Sequence, residues 1–307
     1  MLIGMRNLQF TACMVLAAAC WGFATVISKG VLAYVPPLTL LVVQLTASIG
    51  SLWTALVIRR TKIPLSRRTL RFASLGLLSP GVADTLSLIG LTMTTASMST
   101  LIWDFQPIVI LVLAFLILRE RITRPLGTFS LVASFGVVLV VGVDLSPQGS
   151  KFLVGNLLTL LGVFVCSTYF VLTSRIAPAI EALPLVALQQ TVSWVFVLAI
   201  WPTELLRNAA QNLFSISPTI WGWAILSGVL YYALAFWLYV RGLRNMPASL
   251  AGFFINLLPV FGVGGAYVFL GERLNVVQWI GAILILISVG SIFWLQRADT
   301  TLVTADT

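Results

Sequence analysis

Residues 96–121 read ASMSTLIWDFQPIVILVLAFLILRER, and residues 248–273 read ASLAGFFINLLPVFGVGGAYVFLGER. The two stretches align without a gap at an offset of 152, with identities at Ala96/Ala248, Ser97/Ser249, Pro107/Pro259, Ala114/Ala266, Leu118/Leu270, Glu120/Glu272 and Arg121/Arg273. Just upstream, Gly90-Leu91 meets Gly242-Leu243 at the same offset. Matches among apolar residues carry little weight, but a proline and a Glu-Arg pair in register do not arise from composition. Earlier in each half, Cys20 meets Cys166 and Ser28-Lys29 meets Ser174-Arg175 at an offset of 146. The chain therefore reads as two copies of one unit, 1–146 and 147–307.

Each copy is built for a bilayer. Apolar residues make up 59% of the 307 and charged residues 9%, where a soluble domain carries roughly 25% charged residues. A spanning helix needs about 20 mostly apolar residues. Ten such windows can be drawn, near 10–30, 37–58, 72–93, 96–118, 126–143, 152–173, 183–201, 219–240, 247–270 and 276–295. Five spans per copy is an odd number, so the second copy enters the membrane from the opposite side. The expected fold is an all-α polytopic membrane protein: ten transmembrane helices in two inverted five-helix repeats around a central cavity.

The net charge of +9 speaks of topology, and no nucleic-acid partner is expected. With the N-terminus cytoplasmic, fourteen of the eighteen basic residues fall on the cytoplasmic side, leaving Lys29, Lys151, Arg207 and Arg273 outside, which follows the positive-inside rule. Arg6 followed by an apolar run and Ala17-Ala18-Ala19-Cys20 resembles a lipoprotein signal, but the run continues to Val31, so an uncleaved first helix is expected. The chain has no His, which removes the commonest general base and zinc ligand. Cys13, Cys20 and Cys166 lie in apolar stretches and suit neither a disulfide framework nor a metal site. No phosphate-binding loop, nucleophile–base pair or nucleotide-binding unit is visible. An enzyme, a cofactor and ATP-driven work are not expected.

Inside the spans the acidic residues stand out. Seven of nine lie in loops, tails or helix ends, whereas Asp84 and Asp104 do not. A carboxylate near the bilayer centre costs about 2.5–3.5 kcal/mol, so it faces a cavity and has work to do. Each lies ten residues from Thr94, about 15 Å along its helix from the connecting turn. The two would share a depth, and two close carboxylates would hold a proton between them. Such a pair could bind an ammonium group, a proton, or each in turn; the alternative is a protonated Asp bonded to a backbone carbonyl. Asp104 stands in register with Asn256, each three residues before a proline. Gln44 and Gln190, with Gln189 beside it, lie in helices 2 and 7. The deeper aromatic residues Trp21, Trp103, Tyr169, Trp194, Tyr231, Tyr232 and Trp237 suit an apolar or cationic substrate. Trp53, Trp201, Trp221, Trp279 and Trp294 lie near span ends as anchors. Glu120-Arg121 and Glu272-Arg273 read as turn-fixing pairs, and Gly262, Gly264 and Gly265 as packing positions. The candidate substrate-binding set is Asp84, Asp104, Asn256, Gln44, Trp103, Tyr169, Gln190, Trp194, Tyr232 and Trp237.

Trp21-Gly22, the Pro-Leu pairs at Pro37-Leu38 and Pro184-Leu185, and the doubled pattern Ala-Ser … Pro … Glu-Arg resemble the ten-helix EamA-type branch of the drug/metabolite transporter superfamily. That resemblance implies a ten-helix basket with both termini cytoplasmic and a central cavity lined by helices from both halves; an inner-membrane location and a monomer or weak homodimer are expected. The resemblance also implies secondary active transport of a small metabolite such as an amino acid or amine, often outward. Members of that family often carry Arg about seven residues after the helix 2 proline, where this chain has Gln44. A passive channel or lipid scramblase is the alternative, and would show a polar stripe across the whole membrane.

The basic-residue bias makes one direct prediction. A cysteine introduced between residues 61 and 69 reacts with an impermeant maleimide only from the cytoplasmic side. Labelling from the outside would overturn the orientation.

Overall fold

The computed structural model describes residues 2–61, 63, 66–91, 93–94, 99, 102–141, 150–207, 213–269 and 276–305. All secondary structure among them is helical. The elements are α1 (Leu2–Val31), α2 (Pro37–Ile58), α3 (Arg67–Leu91), α4 (Gln106–Leu118), α5 (Arg124–Val141), α6 (Ser150–Ile176), α7 (Ala182–Arg207), α8 (Pro218–Leu243), α9 (Ala248–Gly262, running on to Phe269) and α10 (Val276–Ala305). Six of them are long and apolar enough to cross a membrane; the apolar helical parts of α4, α5, α9 and α10 are shorter. Their outer faces carry exposed Leu16, Val57, Phe115, Leu131, Leu157 and Ile287. In water such faces would drive association; in a bilayer they meet lipid.

The local signals are ordinary ones. Pro37 and Pro218 occupy first helical turns, where a missing N–H costs nothing. Ser66 caps α3 by accepting from the Thr69 amide at 3.1 Å. Basic residues Arg60 (φ 49°) and Arg119 (φ 55°) adopt left-handed backbone just past the ends of α2 and α4, reversing the chain without glycine.

Packing follows a recurrent scheme. α1 lies against α8 and α9, and α6 lies against α3 and α4; α2 contacts α8 while α7 contacts α3; α4 meets α9 and α5 meets α10. Two glycines permit close approaches of backbone to backbone. A Cβ at Gly76 in α3 would run into the Gln189 backbone of α7, and one at Gly228 in α8 would run into the Gln44 backbone of α2. The α2–α7 seam is stitched reciprocally: Trp53 Nε1 donates to Thr191 Oγ1 at 3.0 Å, and Trp194 Nε1 to Thr46 Oγ1 at 2.8 Å.

Besides a 3₁₀ turn over Ser74–Leu77 and a wide turn over Ala114–Leu118, four segments depart from regular α-helix. α3 breaks at Ser79, whose backbone is extended (φ −145°, ψ 135°) within the wide turn Leu78–Val82. α8 widens over Val229–Ala235. Asp104 and Phe105 form a turn just before α4, and α9 tightens to a 3₁₀ turn over Phe254–Leu257. The last two immediately precede Pro107 and Pro259, whose missing N–H and ring disrupt the preceding turn. Asp104 is therefore not inside a regular helix, as its sequence position had suggested, but at an unwound turn.

Glu120 also differs from its expected role. It fixes no turn of its own. Its carboxylate accepts from the Ala248 amide (2.8 Å), the Ser249 amide (3.0 Å) and the Ser249 hydroxyl (2.6 Å), capping the N-terminus of α9 from the end of α4. Ala96, Ser97, Glu272 and Arg273, the matching residues of the other repeat unit, lie outside the described residues.

Removing this cap leaves two amides and a hydroxyl without a partner. Glu120→Ala should cost about 1–3 kcal/mol and lower the thermal midpoint in detergent. Arg121→Ala, exposed at the next position, should change stability by less than about 0.5 kcal/mol. Equal losses from the two substitutions would show that the cap contributes nothing specific.

Candidate functional site

The four irregular segments surround one cavity of about 240 Å³, and each contributes to its wall: Ser79, Asp104, Tyr231 and Tyr232, and Ile255. Backbone freed from the helical ladder is tolerated at this depth where it borders a cavity. On α1 the lining runs from Trp21 to Lys29, about 12 Å at the helical rise, and continues to Leu32 just past its end. It reaches Leu91 at the end of α3, Leu40 near the start of α2, and Lys29, which is exposed. The cavity thus extends to the end of the molecule where α1 and α3 finish. The opposite end, where α4 meets α9, is the one tied by Glu120.

Five of the sequence-predicted residues line this cavity: Gln44, Asp84, Trp103, Asp104 and Tyr232. Asp84 and Asp104 share a site, as their equal distance from Thr94 implied, but their surroundings differ. Asp84 is 8% exposed. Its Oδ1 accepts from the Tyr232 hydroxyl at 3.3 Å, and the Ser79 hydroxyl also bonds its carboxylate. Ser79 Oγ in turn lies 3.4 Å from Cys166 Sγ. Asp104, by contrast, has a buried carboxylate oxygen, Oδ2, with no hydrogen-bond partner among the described residues. Three further cavity-lining polar atoms are in the same condition, Trp21 Nε1, Ser87 Oγ and Gln106 Nε2. A buried orphan costs about 1–3 kcal/mol; four around one cavity are what a site that takes a polar ligand would show.

Gln44 is oriented by its neighbours. Its Nε2 donates to Ser28 Oγ and Ser227 Oγ, both at 2.8 Å, which leaves the amide oxygen as an acceptor. The apolar wall is an aromatic cluster centred on Trp21, with ring centroids 5.5 Å from Phe236, 5.9 Å from Phe170 and 6.3 Å from Tyr231.

The other five predicted residues sit elsewhere. Asn256 is 1% exposed, and its Nδ2 donates to the Phe253 carbonyl at 2.8 Å; its neighbours Ile255 and Leu258 reach the cavity instead. Tyr169 donates to Gln189 Oε1 at 2.8 Å. Gln190 Nε2 donates to the Tyr232 carbonyl at 3.3 Å, supporting the wall from behind. Trp194 belongs to the α2–α7 seam. Trp237 is flanked by the guanidinium groups of Arg59 (5.5 Å) and Arg241 (5.6 Å), a cation–π arrangement on the predicted cytoplasmic side.

Lining residues absent from the predicted set include Trp21, Lys29, Ser79, Ser87, Gln106 and Phe236. Gln106 carried a signal, being polar, inside a span and beside Pro107. Ser79 had one too, in the Ser-Pro step that breaks α3.

The chain belongs to the EamA-like transporter family, which matches it over residues 10–142 and again over 153–294. The resemblance carried by Trp21-Gly22, the two Pro-Leu pairs and the doubled Pro … Glu-Arg pattern is borne out. It is 30% identical over 204 residues to the uncharacterized transporter YetK of Bacillus subtilis (strain 168), covering 63% of this chain and 58% of that protein. It is 24% identical over 237 residues to YyaM, an uncharacterized transporter of the same strain, covering 74% of each. An uncharacterized transporter of Methanothermobacter thermautotrophicus is 28% identical over 227 residues, 71% of this chain and 62% of its own length. The match thus spans less than two thirds of two of these relatives. A crystal structure superposes with a TM-score of 0.78 at 17% identity, covering 94% of this chain and 98% of that one, a likeness of fold.

Proposed function

We propose that this protein is a secondary active transporter that exports a small amine-containing metabolite across the inner membrane by alternating access, coupled to protons. In this reading it has ten spans in two inverted repeats, 1–146 and 147–307, with both termini cytoplasmic. Reciprocal packing supports the repeats: α1 with α8 and α9 against α6 with α3 and α4, α2–α8 against α7–α3, and α4–α9 and α5–α10 as self-related pairs. The glycines at the two close approaches, Gly76 and Gly228, stand at the same offset of 152 as the sequence repeat. Repeats related in this way put a ligand near the midplane where they meet.

One observation carries the substrate reading: the unpartnered Asp104 Oδ2 in the shared cavity. An ammonium group would supply the missing donor and balance the charge. Asp84, already held by Tyr232 and Ser79, is the second acidic group and the natural place for a coupling proton. Gln44 and Trp103 complete the contact set, while Gln190 braces Tyr232. Asn256, the neutral counterpart of Asp104, stands behind Ile255 and Leu258, and Tyr169, Trp194 and Trp237 support the helices around the site.

Asp104→Asn removes the charge at almost constant volume. Affinity for an amine substrate should fall at least about tenfold, since a charge-assisted contact is worth about 1.5–3 kcal/mol. Asn256→Ala should weaken binding less. If Asp104→Asn leaves both affinity and transport intact in folded, membrane-inserted protein, Asp104 is structural and the reading fails.

Proton linkage has a definite sign. Protonating either carboxyl removes the charge that attracts an ammonium, so affinity for the amine should fall as pH falls. Transport in proteoliposomes that is flat from roughly pH 5 to pH 9 would leave facilitated diffusion in place of coupling.

A further inference from the structure

The polar side of the cavity belongs to the first half of the chain, while the apolar side is built by the second half together with Trp21, Trp103 and leucines of the first. Every charged, carboxamide and serine or threonine side chain in the lining comes from the first half, including Ser28, Lys29, Gln44, Asp84, Asp104 and Gln106. The second half contributes Cys166, Phe170, Tyr231, Tyr232, Phe236, Ile255 and Leu258, an aromatic and aliphatic wall.

Register sharpens the contrast. At the repeat offset of 152, four pairs have both members in the lining: Ser79 with Tyr231, Asp84 with Phe236, Trp103 with Ile255, and Gln106 with Leu258. In three of them a small polar or acidic side chain of the first half stands opposite an aromatic or aliphatic one of the second. A symmetric solute would gain nothing from such a site. One with a polar cationic end and an apolar body would satisfy both walls at once.

The same geometry disfavours a carboxylate beside the ammonium. Lys29 is the basic residue of the lining among the described residues, and it lies eight residues beyond Trp21, about 12 Å along α1. Asp84 belongs to the Trp21 level: it bonds Tyr232, whose ring stacks 6.1 Å from Phe236, which lies 5.5 Å from Trp21. Asp104 lines the same cavity and stands as far from Thr94 as Asp84 does, and the ammonium and carboxylate of an α-amino acid, which share one carbon, cannot span the distance from that level to Lys29. Trp21 Nε1, Ser87 Oγ and Gln106 Nε2 could each donate, but none carries a charge to balance a carboxylate. At ~30 Å³ per water-sized group, 240 Å³ holds about eight such groups, which bounds the solute to a small molecule.

We infer that the ligand is a small amphipathic monoamine: an ammonium group seated at Asp104 in the first-half wall, with a compact apolar or aromatic body against Trp21, Tyr231 and Phe236, and without a carboxylate beside the amine. This rests on the reading of Asp104 as the ammonium site and adds what the rest of the molecule must be.

Four probes of graded chemistry test it on the full-length protein in nanodiscs: 2-phenylethylamine, phenylalanine, ethylamine and 2-phenylethanol, with affinity measured by calorimetry. 2-Phenylethylamine should bind at least about tenfold more tightly than each of the others. Tyr231→Ala, at a half-buried position of the wall, should weaken 2-phenylethylamine more than ethylamine; melting curves establish that the variant is folded. Phenylalanine or ethylamine matching 2-phenylethylamine would overturn the two-faced reading while leaving the ammonium site standing. 2-Phenylethanol matching it would overturn the ammonium site itself. Binding by none of the four to folded protein would overturn the inference.

Discussion

In an apolar surrounding no water is at hand to satisfy a backbone N–H or C=O, so each departure from helix has to be met by the protein or open onto a cavity. That constraint orders this molecule. The exposed faces of its helices are apolar, and their regular stretches satisfy their own backbone. Four of the places where regularity fails, at Ser79, at Asp104–Phe105, over Val229–Ala235 and over Phe254–Leu257, border one cavity. The cavity sits where the backbone can afford to be irregular, and its polar lining follows from that position.

Helix N-termini pose the same problem, and two glutamates answer it at long range. Glu120 takes the first amides of α9, and Glu204 takes the amides of Leu38 and Thr39 at the start of α2, both at 2.8 Å, together with the Thr39 hydroxyl. In each case the capping group comes from a different helix, so satisfying the backbone also fixes one helix against another. A side-chain cap from the preceding residue, such as Ser66 at α3, fixes only its own turn. A helix held by a distant carboxylate can separate from it only by exposing amides, and each end of the molecule carries one such tie, Glu120 where α4 meets α9 and Glu204 where α7 meets α2.

Much of this was legible in the sequence, for identifiable reasons. Helices announce themselves by apolar runs, and Pro107 and Pro259 mark where two of them distort. Asp84 and Asp104 stand out because a carboxylate in such a run is costly, and helical rise alone placed them at one depth. What sequence could not show was pairing at a distance. Nothing near Glu120 names Ala248 and Ser249, so it read as a local turn residue. Tryptophan at mid-span was equally ambiguous: Trp21 centres the aromatic wall, Trp194 reaches Thr46, and Trp237 lies between Arg59 and Arg241. Their sequence contexts are alike, and only the neighbouring helix distinguishes them.

The repeat itself explains why the wall could become two-faced. Positions that set the backbone match between the halves: Gly76 with Gly228 where helices nearly touch, and Pro107 with Pro259 where they bend. A substitution at these would clash or restore a helix turn, so they are constrained by the fold. Side chains that only project into the cavity carry no such load. Asp84 can stand opposite Phe236, and Gln106 opposite Leu258, without disturbing either helix. Duplication thus supplies a symmetric frame, and the frame leaves the lining free to differ. Placing both acidic groups in one half lets them face an apolar wall with no second acidic group across the cavity. An ammonium bound there would meet the acidic side chains on one side and aromatic faces, themselves attractive to cations, on the other.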